Sequence, residues 1–265
     1  MPDHEPAVTI RYDVAQSARI WNYWMGGKDN YPADRAAGEA VLEQYPEMAE
    51  LAKACRQFII RTVRYLAGEA GVRQFLDIGT GLPTMQNTHE VAQGLAPDSR
   101  VVYVDNDPVV LAHARALLTN TTPEGVTTYV DADYNDTSLL IADARNVLNF
   151  NEPIAVMFMG VLGHTEDFER ALGIARRVMD AVPSGSYLAQ YEGTDTSRAY
   201  VEACATEKDL GVAYYPRSPE QVAAYFEGLK LVEPGVVEIN AWRPAVVGDG
   251  PPRAVPAYGG VARKP

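Results

Sequence analysis

Phe75-Leu76-Asp77-Ile78-Gly79-Thr80-Gly81 decides the fold of this chain. An apolar run from Gln74 to Ile78 carries one acid and then turns on two glycines, Gly79 and Gly81. Helix-compatible sequence follows from Thr84. The pattern is that of a buried strand, a tight turn and a helix start. Without a Cβ at 79 and 81, backbone N–H groups can approach a ligand closely. A second apolar run, Val101-Val102-Tyr103-Val104, ends on Asp105, 24 residues beyond Gly81. A carboxylate at the tip of the second strand is placed to accept hydrogen bonds from both hydroxyls of a ribose. The first βαβ unit is therefore expected to bind a nucleoside-containing cofactor, with Thr80 in the turn and Asn106 beside the acid.

The choice of cofactor turns on what is missing and on Asp77. A dinucleotide fingerprint has a third glycine three residues after the second; here that position is Thr84, after Pro83. A carboxylate at Asp77 repels a pyrophosphate but accepts hydrogen bonds from an ammonium. Ribose, adenine and an α-amino acid without phosphate describe S-adenosylmethionine. A nicotinamide-dependent reductase and a turn that binds nothing are the alternatives.

With 47% hydrophobic and 22% charged residues, the 265-residue chain has the composition of a globular protein. Its net charge of −12 repels nucleic acid and anionic membrane surfaces at long range. Two cysteines, Cys55 and Cys204, form neither a metal spacing nor a disulfide framework, and no metal site is expected. The first ten residues are polar and acidic, without the apolar core of a secretion signal, and no apolar run is long enough to span a bilayer. The cytoplasm is the expected compartment.

Residues 1–13 read as a loose tail that includes His4. Three aromatics crowd Trp21-Asn22-Tyr23-Trp24, and Gly26-Gly27 breaks the preceding helix. Tyr23, Gly27, Lys28 and Asn30 are expected to form a wall or lid of the cofactor pocket; the competing reading is that Trp21 and Trp24 plug the core. Pro32 with Asp34 starts a helix to about Tyr45, and a second runs from about Glu47 to Gly68 with Leu51, Ala54, Cys55, Phe58, Ile59, Val63 and Leu66 on one stripe. Residues 14–70 thus read as a helical N-terminal extension, and 72–265 as an α/β core of the same domain.

From Val72 strands and helices alternate. Strands are expected at 74–78, 100–104, 127–130, 154–159 and 187–191, and helices at 84–94, 108–118, 136–147, 166–181 and 196–206. Ser218-Pro219-Glu220-Gln221 starts a further helix ending near Gly228. Two last strands, Val236 to Trp242 and Ala257 to Ala262, are joined by a Pro- and Gly-rich loop from Pro244 to Pro256. Strands separated by helices imply a parallel sheet covered on both faces, and the last two strands, lacking a helix between them, pair antiparallel.

Asp77-Ile78-Gly79-Thr80-Gly81, Asp105, and Asp133 after strand three resemble a class I S-adenosylmethionine-dependent methyltransferase. More narrowly, the chain is similar to a bacterial S-adenosyl methyltransferase-type family once known as DUF574. The matching stretches are Arg19 to Asn30, Phe75 to Thr84, Asn87 to Gln93, Val102 to Pro108 and Tyr258 to Arg263. The resemblance implies a Rossmann-like seven-stranded sheet, order 3-2-1-4-5-7-6, with strand seven antiparallel. It implies Gly79 and Gly81 against the amino-acid portion of S-adenosylmethionine and Asp105 on the ribose. Asp133 would reach the adenine amino group, and Met159-Gly160 would meet the methionine end. The N-terminal helices would cover the pocket. The sequence departs from the family pattern where an acceptor or its base would sit. Relatives carry Asn-Arg where this chain has Cys55-Arg56, and Leu-His where His164 comes one residue later. They carry His where Tyr191-Glu192 follows strand five.

Methyl transfer from a sulfonium is an in-line displacement in which positioning supplies much of the barrier reduction. A base is needed only if the acceptor arrives protonated. His164 is the best-placed base candidate, with Tyr191 and Glu192 behind it; His89 and His113 fall within helices and read as packing or surface residues. The expected function is methylation of an unidentified small-molecule acceptor, S-adenosylhomocysteine being the product. A non-catalytic S-adenosylmethionine-binding regulator is the alternative, and consumption of the cofactor separates the two.

Overall fold

The computed structural model describes residues 11–83, 86–117, 119–244 and 253–265, side chains at 115–117 excepted. Thr84, Leu118, His4 and most of the expected 244–256 loop lie outside the described residues. The chain opens with helices α1 (Ser17–Trp24), α2 (Pro32–Gln44) and α3 (Met48–Arg64), the last running into a π-helical turn, Tyr65–Glu69. One acid pins the first two together. Asp34, in the first turn of α2, accepts the backbone N–H of Tyr31 at 2.8 Å and of Gln16 at 2.9 Å. It also pairs with Arg19 of α1 at 3.1 Å, both side chains being fully buried. Breaking one partner of such a pair leaves an uncompensated buried charge, at a cost of about 3–5 kcal/mol.

The α/β part follows as β1 (Gln74–Ile78), α4 (Thr88–Leu95), β2 (Arg100–Asp105), α5 (Pro108–Leu117), β3 (Val126–Asp131), α6 (Thr137–Ala144) and β4 (Ala155–Met159). A 3-10 turn, Val161–His164, leads to α7 (Phe168–Ala181), β5 (Tyr187–Gly193), α8 (Arg198–Asp209), α9 (Pro219–Ala224), β6 (Lys230–Leu231), β7 (Val237–Glu238) and β8 (Ala257–Arg263). The sheet order is β3-β2-β1-β4-β5-β8-β6, with β7 also on β8. The first five strands are parallel, and β8 is antiparallel to β5. This is close to the expected order, with β8 as strand seven; the sixth place is taken by β6, a two-residue strand not expected from the sequence, while the strand expected at 236–242 is β7, off the main path on β8.

Two local expectations need correction. Helix α4 begins at Thr88 rather than near 84, because Asn87 and Glu90 form a capping box there. The strand expected over 236–242 is regular only at Val237–Glu238, and a 3-10 turn, Ile239–Ala241, replaces the rest. Trp242 is fully buried, stacked edge-on against Phe58 at 5.6 Å, and Arg61 donates to the carbonyls of Ile239 and Trp242 at 2.6 and 3.0 Å. The chain leaves the ladder to drop the indole under α3.

All five residues of β1 are buried, which is why that strand reads as mostly apolar, broken only by Gln74 and Asp77. Phe75, Val101, Tyr103, Met157, Ala189 and Tyr191 face the N-terminal helices. Leu76, Ile78, Val102, Val156, Phe158 and Leu188 face α6, α7 and the Tyr225-Phe226 end of α9. Each buried Val, Leu, Ile, Phe or Met among them contributes roughly 1.5–3 kcal/mol by leaving water. The parallel topology gathers the carboxyl ends of β1, β2, β4 and β5 along one edge, beneath α1 and α3.

Candidate active site

A cavity of about 350 Å³ lies along that edge. Its floor is the turn after β1. Gly79 (φ +70°) and Gly81 (φ +63°) both adopt the left-handed conformation. A Cβ on Gly79 would overlap Val161, whereas one on Gly81 would point into open space, the nearest atom being Ala18 Cβ at 3.9 Å. Gly79 donates to Val104 O at 2.8 Å, so the turn is held by β2. Gly81 donates to Asp105 Oδ2 at 2.9 Å. The N–H groups of Asn106 and Asp107 reach Asp105 Oδ1 at 2.9 and 3.0 Å. Burial raises the pKa of Asp105 and these N–H groups oppose the shift, so the carboxylate is fixed in direction at the cavity wall.

Asp77 is buried in the same wall and accepts from the Thr88 hydroxyl at 2.7 Å. Burial pushes its carboxyl up to about 6, against the Thr88 hydrogen bond and the Arg56 charge. A cation placed beside it would stabilise its ionised form. On the β4 side, Gly160 (φ +84°) donates to Tyr191 O at 3.0 Å, and Met159, Gly160 and Tyr191 line the cavity.

His164 reaches the cavity through the 3-10 turn after β4. Its Nδ1 lies 2.8 Å from Ala213 O, a group that can only accept, so Nδ1 carries the proton. Nε2 then accepts from the Ser17 hydroxyl at 3.1 Å. Burial lowers the His164 pKa, the Ala213 contact opposing it, and the ring is neutral near pH 7 with its basic nitrogen toward α1. Tyr191 is a cavity residue, but burial holds its phenol well above the ordinary range, so it stays protonated. Glu192, also named from the sequence, does not line the cavity. Its Oε2 accepts from Tyr214 OH at 2.7 Å, burial pushes it up to about 7, and it acts on the cavity through Tyr214.

Asp77, Gly79, Thr80, Gly81, Asp105, Asn106, Met159 and Gly160 therefore converge on one cavity. The lid residues do not. Tyr23 packs on Gly38 of α2 and reaches Glu39 at 3.2 Å, and Lys28 is exposed to solvent. Asn30 is buried behind the wall, donating to Asn22 Oδ1 at 2.9 Å and to Gly27 O at 3.0 Å. Gly27 serves that network, because a Cβ there would overlap the Asn22 amide. The wall itself is made by Gln16, Ser17, Trp21, Asn22 and Met25. Trp24 plugs the core, with Nε1 donating to Gly38 O at 3.2 Å, while Trp21 faces the cavity. Asp133 also misses it: just past β3, Ala132 lines the cavity, and Asp133 is exposed, accepting from Asn135 at 2.8 and 2.7 Å. His89 is buried in α4 against Tyr103, as expected of a packing residue.

Tyr129, Tyr134, Arg56, Tyr200 and Tyr214 line the cavity without having been read as site residues. Arg56 carried one signal: with Ala52 and Ile59 it lies on the buried side of α3, where a charge is out of place. Tyr214 carried none, coming from an aperiodic stretch. Among the described residues no group of His, Cys, Asp and Glu side chains could hold a metal, and no helix is long and apolar enough to cross a membrane.

This sheet, with a glycine turn after β1 and fixed carboxylates at β1 and β2, defines the methyltransferase class of nucleoside-cofactor folds. Residues 3–265 match the S-adenosyl methyltransferase family model, and the chain belongs to that family. A DUF574 family protein from Streptomyces avermitilis MA-4680 is 43% identical, with 96% of this chain and 100% of that one covered and a TM-score of 0.91. A candidate methyltransferase from Thermobifida fusca YX is 39% identical, with coverage of 96% and 97% and a TM-score of 0.86. A methyltransferase from Anabaena variabilis ATCC 29413, 12% identical, covers 98% of this chain and 100% of its own with a TM-score of 0.52, and shows the shared fold. No curated protein matches the chain. The cofactor is S-adenosylmethionine, and the site fits it: Asp77 lacks a full counter-charge, Gly81 leaves room, and Asp105 is held at the wall.

Proposed function

We propose that this protein is an active methyltransferase that carries the methyl group of S-adenosylmethionine to a small, enclosed acceptor. The observation that carries the reading is the joining of two environments in one cavity. At one end stand the fixed carboxylates of Asp77 and Asp105 with the Gly79–Gly81 turn; at the other stand Tyr191, Tyr200, Tyr214 and neutral His164. When bound, S-adenosylmethionine supplies an electrophilic methyl group on a sulfonium. Asp105 would hold the ribose hydroxyls and Asp77 the ammonium, with Gly79, Thr80, Gly81 and Asn106 lining the approach. Trp21, Met25 and the three tyrosines exclude water, and aromatic faces favour a nearby cation. His164 Nε2, oriented by Ala213 O, is the group available to take a proton from an acceptor that arrives protonated.

The net charge of −12 supports a small molecule over a nucleic acid as acceptor. Two buried free thiols, Cys55 and Cys204, suit a reducing compartment such as the cytoplasm. We read 1–265 as one domain with its 14–70 helices over the pocket. Incubating the protein with a cell extract and S-adenosylmethionine labelled in the methyl group tests the reading. A labelled low-mass product should appear only with the protein present. Binding of the cofactor without its consumption in any extract fraction would overturn it.

A further inference from the structure

Arg56 projects from the middle of α3 into the cavity. It is the one Lys or Arg among the described residues that line this space. Among the described residues its guanidinium has no hydrogen bond and no ion pair, although every other cavity residue with a formal charge is engaged: Asp77 with Thr88, Asp105 with three N–H groups, and Asp107 with Val109 N at 2.8 Å. The groups that act on it electrostatically are Asp77 first, then Tyr191, Tyr103 and Glu90. Burial lowers its pKa, and the Asp77 charge, the largest of the opposing influences, acts on it without a hydrogen bond. A half-buried guanidinium with its donors free and a buried carboxylate with spare accepting capacity line the same cavity and so offer a cation and an anion to one ligand. That pair complements an α-amino acid zwitterion. The planar fork of Arg matches a carboxylate in bidentate fashion, which a lysine could not.

We propose that Arg56 binds the α-carboxylate of the cofactor's methionine while Asp77 receives its ammonium, so that α3 and β1 together read the amino-acid end. The inference rests on the cofactor reading above and adds a residue to it. It also gives α3 a role in cofactor recognition: the helix closes over the sheet edge and delivers the group that completes the site.

Ligand truncation tests it by calorimetric titration. Wild-type protein is titrated with S-adenosylhomocysteine, with its decarboxylated analogue (which keeps the amine), and with 5′-methylthioadenosine, which lacks the amino acid. Wild type should bind S-adenosylhomocysteine about ten- to a hundredfold more tightly than the decarboxylated analogue. Arg56→Met should erase that preference by weakening S-adenosylhomocysteine alone, leaving the other two ligands within about threefold, and Arg56→Lys should restore part of it. Equal affinity of wild type for the carboxylated and decarboxylated ligands overturns the proposal whether or not the variants fold. So does an equal loss of all three ligands in Arg56→Met, which marks a structural role, or no loss of any, which gives Arg56 to the acceptor. A wild type that binds 5′-methylthioadenosine but shows none of these differences leaves the cofactor reading standing; one that binds none of the three removes both.

Discussion

Asp105 Oδ2 accepts the backbone N–H of Gly81 at 2.9 Å, tying the tip of β2 to the second glycine of the turn after β1. The acid that is to hold a ribose is thus also part of the scaffold that shapes the turn. Asp105→Asn should weaken S-adenosylhomocysteine binding roughly ten- to a hundredfold, since a charged hydrogen bond contributes ~1.5–3 kcal/mol and ~1.4 kcal/mol is tenfold. Titration calorimetry on the folded variant checks this, and an unchanged Kd would move the ribose acid elsewhere.

The two glycines of the turn should respond differently to one added methyl. At Gly81 an alanine meets open space and bears only left-handed strain, about 1–2 kcal/mol. Gly81→Ala should therefore fold, yet bind S-adenosylhomocysteine poorly because its Cβ occupies the cavity. At Gly79 the same strain adds to an overlap with Val161, and Gly79→Ala should fail to accumulate as folded protein. Thermal melts and titrations of both variants decide the matter; equal behaviour would show that the turn relaxes.

Lys28 and Asn30 should separate. Lys28→Ala removes an exposed charge and is expected to leave both melting temperature and ligand affinity unchanged. Asn30→Ala removes two donated hydrogen bonds behind the cavity wall, to Asn22 and Gly27, and should lower the ligand-free melting temperature. Each bond contributes about 0.5–1.5 kcal/mol, and 1 kcal/mol shifts the midpoint of a protein near this size by about 2–4 °C. A Lys28→Ala variant with a diminished ligand-induced rise in melting temperature would put the lysine back in the site.

Glu207 sets a dependence on pH. Burial in α8 pushes its carboxyl up to about 8, so the folded state holds a proton that the unfolded chain releases near pH 4.5. Between those values the folded state binds more protons, and stability falls as pH rises. Asp77, raised to about 6, and Glu192, raised to about 7, act in the same direction. Glu207→Gln should leave the melting temperature at pH 5 nearly unchanged and raise it at pH 8 by at least ~2–4 °C. Melts at the two pH values check this; an equal change at both would mean that the carboxyl is not protonated in the fold.

The sequence alone determined the parallel sheet, its antiparallel last strand and the floor of the site. Those features depend on neighbours in the chain. A strand buried on both faces must be apolar throughout, as Gln74 to Ile78 nearly is, and a backbone at positive φ calls for glycine at 79 and 81. Asp105 was legible for the same reason, since the end of an apolar run fixes the strand tip. What the sequence could not carry was direction. Lys28 and Trp21 share one short segment, but only the packing of α1 on α2, through Asp34 and Arg19, turns Trp21 inward and leaves Lys28 in water. Asp133 and Ala132 are neighbours just past the end of β3, and the path the chain takes there decided which of them faces the cavity. Arg56, Tyr200 and Tyr214 lie far from the glycine turn in sequence and reach the cavity only because α3 crosses the sheet edge and α8 and the chain after it pack over the end of β5. Contacts between distant segments depend on helix placement, which follows from the summed burial of many side chains and from no local pattern.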